Sequence, residues 1–348
     1  MPRIPPNIFG TAFGLSGLAG TWSAAAGAGL APQWIGQALL AVAAVTWLVA
    51  LVAYLASALG RGGSLRGDFT HPILSPFMSL ALISPMVLAS AGIAPHAPAV
   101  GTALTDLFIA LTVIHGAWFT GQLIYGDYAF DQLHPGYFLP TVAGGLVASM
   151  SAAAVGQPGL GHVMFGYGVV CWFVLGSILL ARLVFRPTLP PALTPTLAIE
   201  VAPAAVASLA WFGLHDGAVD GVAQFLAGYG ALLVLAQLRL LPMFLRLRFS
   251  IGFWAFTFSW AAVASVVLHW LVVTRPFGYV AWAWIVLAAI TVLIGGIAVR
   301  SIVALVAGTL FPSSPAAPPP AGRSQESSAP TRSTDRGSAG RTQKIGAE

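Results

Sequence analysis

The chain has 348 residues, of which 57% are hydrophobic and 7% charged, with a formal net charge of +5. Soluble domains carry roughly 25% charged residues, so an ordinary soluble enzyme is excluded, and the mean hydropathy of +0.86 describes a polytopic membrane protein. The one cysteine, Cys171, excludes a disulfide framework and a thiolate metal site. The basic residues are too scattered to build a phosphate-binding face for nucleic acid.

A helix crossing the hydrocarbon core needs about 20 apolar residues. Apolar runs bounded by turn residues fall at roughly 8–27, 34–59, 74–93, 99–124, 136–155, 160–185, 194–213, 221–247, 250–272 and 279–310. The runs are continuous and too long for the tilted strands of a β-barrel. The expected fold is therefore all-α, with about ten transmembrane helices. Arg3 precedes the first run as it would in a secretory signal, but Gly10, Gly14, Gly17 and Gly20 make a poor signal core.

Loop charges set an orientation. Arg3, the pair Arg61 and Arg66, the pair Arg182 and Arg186, and the pair Arg246 and Arg248 fall on alternate loops, and Arg275 is the lone base on the others. The positive-inside rule then predicts a multi-pass cell-membrane protein with both termini cytoplasmic. Residues 1–311 make the membrane domain. Residues 312–348, rich in Pro, Ser, Gly and Arg, lack the apolar surface to offset their chain entropy and read as a disordered cytoplasmic tail.

Helices starting on the cytoplasmic side recur at about 56 to 66 residue intervals. Two starts share a form, His71-Pro72 with Pro76 and His134-Pro135 with Pro140. Helix breakers concentrate in the odd-numbered helices: Gly14 among the glycines of the first, Pro85 in the third, Pro140 with Gly144 and Gly145 in the fifth, and Pro203 in the seventh. Proline frees a backbone carbonyl and kinks the axis, which lipid does not tolerate unless protein or a water-filled cavity satisfies it. The odd helices are thus expected inside and the even ones against lipid, as five helical hairpins whose inner members enclose a conduit. Gly14, Pro85, Pro140, Gly144 and Pro203 are the pore-lining candidates. Close helix packing is the other reading of the same residues.

Four segments, NIFGTAFGLSGLAGTW, HPGYFLPTVAGGLVAS, APAAVAS and IGFWAFTFSWAA, resemble the tellurite-resistance/dicarboxylate transporter family, which includes TehA and the plant slow anion channels. The resemblance spans about residues 5–310 and leaves out the tail. It implies ten helices in five hairpins about a quasi-fivefold axis, a homotrimer with one pore per protomer, and a narrow path for small inorganic or organic anions closed by a phenylalanine on the ninth helix. The matching position is Phe258; Phe256, two residues earlier, points elsewhere on the helix. A bulky ring in a pore of small residues blocks ions by size and by dewetting.

Ionisable groups inside a membrane call for a role or a partner. Glu200 and Arg239 fall at similar depth on adjacent antiparallel helices. They read as a structural ion pair, or else Glu200 faces the pore as a coupling site. The family pattern has an apolar residue at Glu200, so no role is carried over to it. Asp106 and His115 on the fourth helix read as packing groups, His71 and His134 as caps or mouth residues, and Arg182 and Arg300 as snorkelling bases. The functional expectation is a gated anion channel. The alternatives are a proton-coupled dicarboxylate transporter, a sulfite or tellurite exporter, an enzyme and a non-conducting scaffold. No metalloprotease, nucleophile-elbow or phosphate-loop motif supports an enzyme, and neither a cofactor nor a metal is expected.

Overall fold

A computed structural model describes residues 3–60, 65–126 and 128–311. Among these the regular structure is entirely helical. Besides short helical turns such as Leu65–Thr70, the elements are α1 (Gly10–Gly27) and nine segments long and apolar enough to cross a membrane. These are α2 (Gln33–Leu59), α3 (Ser75–Ile93), α4 (Pro98–Tyr125), α5 (Pro135–Ala154), α6 (Pro158–Phe185), α7 (Thr194–Leu214), α8 (Gly221–Phe244), α9 (Ile251–Thr274) and α10 (Tyr279–Val306). Glycine, serine and threonine keep α1 out of that set, though its Phe13, Leu18 and Ala19 are buried. The expected tail, 312–348, and Arg61 lie outside the described residues.

Burial separates two layers. The apolar windows of α3, α5, α7 and α9 are 72, 78, 61 and 50% buried, against 17 to 28% for the five even-numbered helices. The even helices present rows such as Val45, Val49 and Val52 on α2, and Leu232, Leu235 and Leu238 on α8, an apolar surface that only lipid or another chain solvates well. Each odd helix packs on the even helix that follows it. The odd helices also touch in the order α1, α3, α5, α7, α9 and back to α1.

Each odd helix is preceded by, or begins with, a 3₁₀ turn: Pro6–Phe9, Ser75–Ser79, Pro135–Phe138, Thr194–Val201 and Ile251–Trp254. Four of these turns carry proline in their first two positions, where a missing N–H costs no hydrogen bond. The five turns also contact one another in a closed ring. We call the end of the bundle where they lie the near end, and the opposite one the far end.

The breakers act locally as proline chemistry requires. Pro85 has no N–H for the carbonyl of Ala81, and that oxygen instead accepts from Trp47 Nε1 of α2 at 3.1 Å. Wide π turns follow at Leu88–Ile93 and at Leu139–Ala143, the second containing Pro140. Pro203 stands where α7 relaxes from 3₁₀ to α geometry. An even helix also holds a proline, Pro242 in α8, so breakers are not confined to the odd members. Pro242 falls in the last turn, where a kink displaces little of the helix.

Candidate functional site

The near ends of all five odd helices surround one cavity of about 330 Å³. Phe13, Leu80, Leu146 and Val206 are its deepest contributions along α1, α3, α5 and α7, Phe258 and Ser259 are those of α9, and Asn7, Leu74, Leu193 and Leu310 line its near-end part. No lining residue is ionisable. Two of the few polar ones are turned into their own backbone: Thr196 Oγ1 donates to Leu193 O at 2.7 Å and Ser259 Oγ to Ala255 O at 3.0 Å. Asn7 Oδ1 is buried without a partner.

Phe258 lies flat against Phe13, with ring centres 3.6 Å apart and planes 13° from parallel. Room for the ring comes from Gly17, where a Cβ would stand 2.9 Å from Phe258 Cδ2. Phe256 turns away to an aromatic cluster with Phe244 at 4.9 Å and Phe253 at 5.8 Å. Phe13 was not singled out in the sequence, although its place among Gly10, Gly14 and Gly17 is the available signal: a bulky ring on a helix face otherwise kept bare.

Of the pore-lining candidates, Pro203 lines the cavity and the other four do not. Gly14 faces α9, where an added Cβ would meet Thr257 Oγ1 at 1.9 Å, and Gly144 faces α4, where it would meet Thr112 Cγ2 at 2.8 Å. Both glycines therefore serve close helix approach. Pro85 and Pro140 are buried.

Glu200 and Arg239 are not joined by an ion pair among the described residues. The face of α8 turned to α7 carries Gln237, whose Nε2 donates to Leu197 O at 2.6 Å. Arg239, two residues on, falls on the opposite side and is exposed. One oxygen of Glu200, Oε1, is buried without a partner.

Asp106 and His115 are likewise apart. Asp106 accepts from Gln157 Nε2 at 3.1 Å, and His115 stacks on Trp118. Arg182 does not snorkel: it is 2% exposed, and its guanidinium donates to the carbonyls of Pro187 at 2.8 Å and Asp131 at 3.1 Å. Arg300, exposed, lies over the Phe249 ring at 5.2 Å. His71 and His134 both cap. Nδ1 of His71 accepts from the N–H groups of Ile73 and Leu74, and Nδ1 of His134 from Gly136 N at 3.1 Å.

The profile of the SLAC1 family, described as voltage-dependent anion channel, matches residues 3–302. The chain belongs to the SLAC1 family. Within it, the tellurite resistance protein TehA homolog of Haemophilus influenzae is 29% identical over 270 residues, covering 75% of this chain and 80% of that protein. The S-type anion channel SLAH3 of Arabidopsis thaliana is 26% identical over 329 residues, and SLAH2 of the same plant is 26% identical over 245. The matches take in 50% and 44% of those plant proteins, so this chain spans about half their length. SLAC1 membership together with the apolar helices makes this a multi-pass membrane protein of an anion channel and transporter family. Among the described residues, no three His, Cys, Asp or Glu side chains gather as a metal site.

Proposed function

We propose that this protein is a gated channel or facilitator for small anions. In this reading the ten helices form five hairpins about a quasi-fivefold axis. The odd helices bound a pore, and Phe258 is its gate. The observation that carries it is the uncharged cavity lined by all five odd helices, with the stacked rings of Phe13 and Phe258 in its wall.

Anion preference in such a path rests on the backbone. The five 3₁₀ starts ring the near end, and helix N-termini carry unpaired N–H groups and the positive end of the helix dipole. Diffuse positive potential without a fixed cation attracts anions without trapping them, which favours passage over binding. Selection among anions then follows size and ease of dehydration. Phe258 is held by stacking and by the Gly17 notch, contacts that a rotamer change breaks without unfolding a helix.

The near end is assigned to the cytoplasm of a cell membrane by the loop arginines, and a homotrimer is the assembly implied by the family resemblance. Proton-coupled dicarboxylate transport, or export of sulfite or tellurite, is the second reading. The buried, unpartnered Oε1 of Glu200 favours it, because coupled transporters use such carboxylates. The deciding experiment is anion flux in liposomes for wild type and Phe258→Ala, across chloride, nitrate, sulfite, succinate and potassium. An anion-selective rise in the variant supports the gate. An unchanged flux, or an equal rise for potassium, overturns it.

A further inference from the structure

Two histidines meet at the far end, away from the cavity. His162 stands near the start of α6, and His215 is the residue that closes α7. Nδ1 of His162 is 2.7 Å from the carbonyl oxygen of Pro158, and Nδ1 of His215 is 3.1 Å from that of Trp211. A carbonyl only accepts, so each Nδ1 carries the proton and each Nε2 keeps a free lone pair. The ring centres are 5.3 Å apart, with planes at 88°.

The ring separation and the pinned Nδ1 atoms suit two imidazoles that share a metal ion. An ion 2.0–2.1 Å from each imine nitrogen, with a tetrahedral angle between them, holds the ring centres about 5 Å apart. The second nitrogen of a ligating histidine is normally pinned by a carbonyl or carboxylate, which fixes the tautomer and the ring. Here both pins come from the backbone. His215 is further held by its stack on Trp211, 3.8 Å between ring centres. Trp211 is in turn fixed by Nε1–H bonds to both Asp220 oxygens, at 3.0 and 3.1 Å. Asp220 Oδ1 also accepts from Val222 N and Ala223 N as the cap of α8. His162 is exposed, so solvent reaches the remaining coordination positions.

We propose that His162 and His215 form a two-histidine site for a transition metal ion of the Zn²⁺, Ni²⁺ or Cu²⁺ type, strapping the start of an even helix to the end of the odd helix that follows it. Imidazole nitrogen suits these ions, and Cu²⁺ binds tightest of the three. Because α7 contributes Pro203 and Val206 to the cavity, a bound ion would restrain the far end of a cavity-lining helix.

The test is calorimetric titration of the tag-free protein in detergent with Cu²⁺ and then Zn²⁺, alongside thermal melts with and without the ion. One saturable ion per chain is expected, with a rise in Tm. His162→Ala and His215→Ala each weaken binding at least tenfold and abolish the rise, whereas His96→Ala, at another far-end loop, changes neither. His162 is exposed and bonds only within its own helix turn, so His162→Ala reads the site even if His215→Ala disturbs the end of α7. Absence of saturable binding, or binding unchanged in His162→Ala, overturns the proposal.

Discussion

His134 Nε2 lies 3.2 Å from the carbonyl oxygen of Ile73, so the start of α5 grips the start of α3. The N–H of Ile73 is itself bonded to His71 Nδ1 at 3.1 Å. The two His-Pro motifs are thus one device used twice, joined at a residue that lines the cavity. His134 is fully buried, and desolvation pulls its pKa down to about 4, against the opposing effect of the bond to Ile73 and with help from the Arg182 charge. Burial lowers His71 as well.

The sign of the pH dependence follows. Above the ordinary histidine value of about 6.5, both rings are neutral folded or unfolded, and stability does not vary through them. As pH falls from about 6.5 toward 4, the unfolded chain takes up the His134 proton and the folded one refuses it. Stability then declines by about 1 kcal/mol per pH unit. Melting in detergent should show Tm level from pH 8 to 7 and falling below 6.5. His134→Gln should reduce that slope and leave the smaller part that His71 contributes, and an equally steep slope in the variant would show that other groups set it.

Much of this architecture is legible as text. Long apolar runs mark the helices because lipid leaves the backbone no other partner, and the motif around Phe258 selects a ring that does line the cavity. Rotation about a helix axis is what the text withholds. Glu200 and Arg239 share a depth, yet Gln237 occupies the face that meets α7. Gly14 and Gly144 lie on helices that reach the cavity, but face their neighbours instead. The 3₁₀ and π turns are also hidden, because they arise from packing between helices as much as from the prolines they contain.

On the proposed reading, Phe13 controls the gate from the neighbouring helix, α1, which packs directly on α9. Its stack with Phe258 is worth about 1 kcal/mol beyond area burial. If Phe258 gates the path as proposed, Phe13→Ala shifts that equilibrium about fivefold toward open. Liposome flux should rise by several-fold, less than in Phe258→Ala, and the double variant should add nothing to Phe258→Ala alone. An additive double variant would mean that Phe13 acts on the path independently.

Gly14 and Gly20 sit on the same helix and separate packing from propensity. A Cβ on Gly14 would stand 1.9 Å from Thr257 Oγ1, whereas one on Gly20 meets nothing within 4 Å. Gly14→Ala should therefore cost about 1–3 kcal/mol through overpacking of α1 on α9. Gly20→Ala should gain up to about 1 kcal/mol in helix propensity. Thermal melts of the two variants should move in opposite directions.

Trp47 and Pro85 make a compensated pair. The indole N–H of α2 takes the carbonyl of Ala81 that proline leaves free. Trp47→Phe keeps most of the packing and orphans that oxygen inside the bundle, at a cost of about 1–3 kcal/mol. Pro85→Ala in the Trp47→Phe background supplies a helical N–H to the same carbonyl and should recover part of the loss. A Trp47→Phe melt identical to wild type would show that the oxygen finds another donor.

Glu200 distinguishes conduction from coupling. It stands on an odd helix but is not among the cavity-lining residues, and Arg239 does not neutralise it. A channel needs no proton from it. Glu200→Gln should therefore leave anion flux within about twofold of wild type, a change of less than about 0.5 kcal/mol in barrier, with or without a proton gradient. A coupled transporter behaves otherwise: Glu200→Gln would abolish gradient-driven uptake while Phe258→Ala retained it. That outcome would place the carboxylate on a proton route and make the aromatic stack a support rather than the gate.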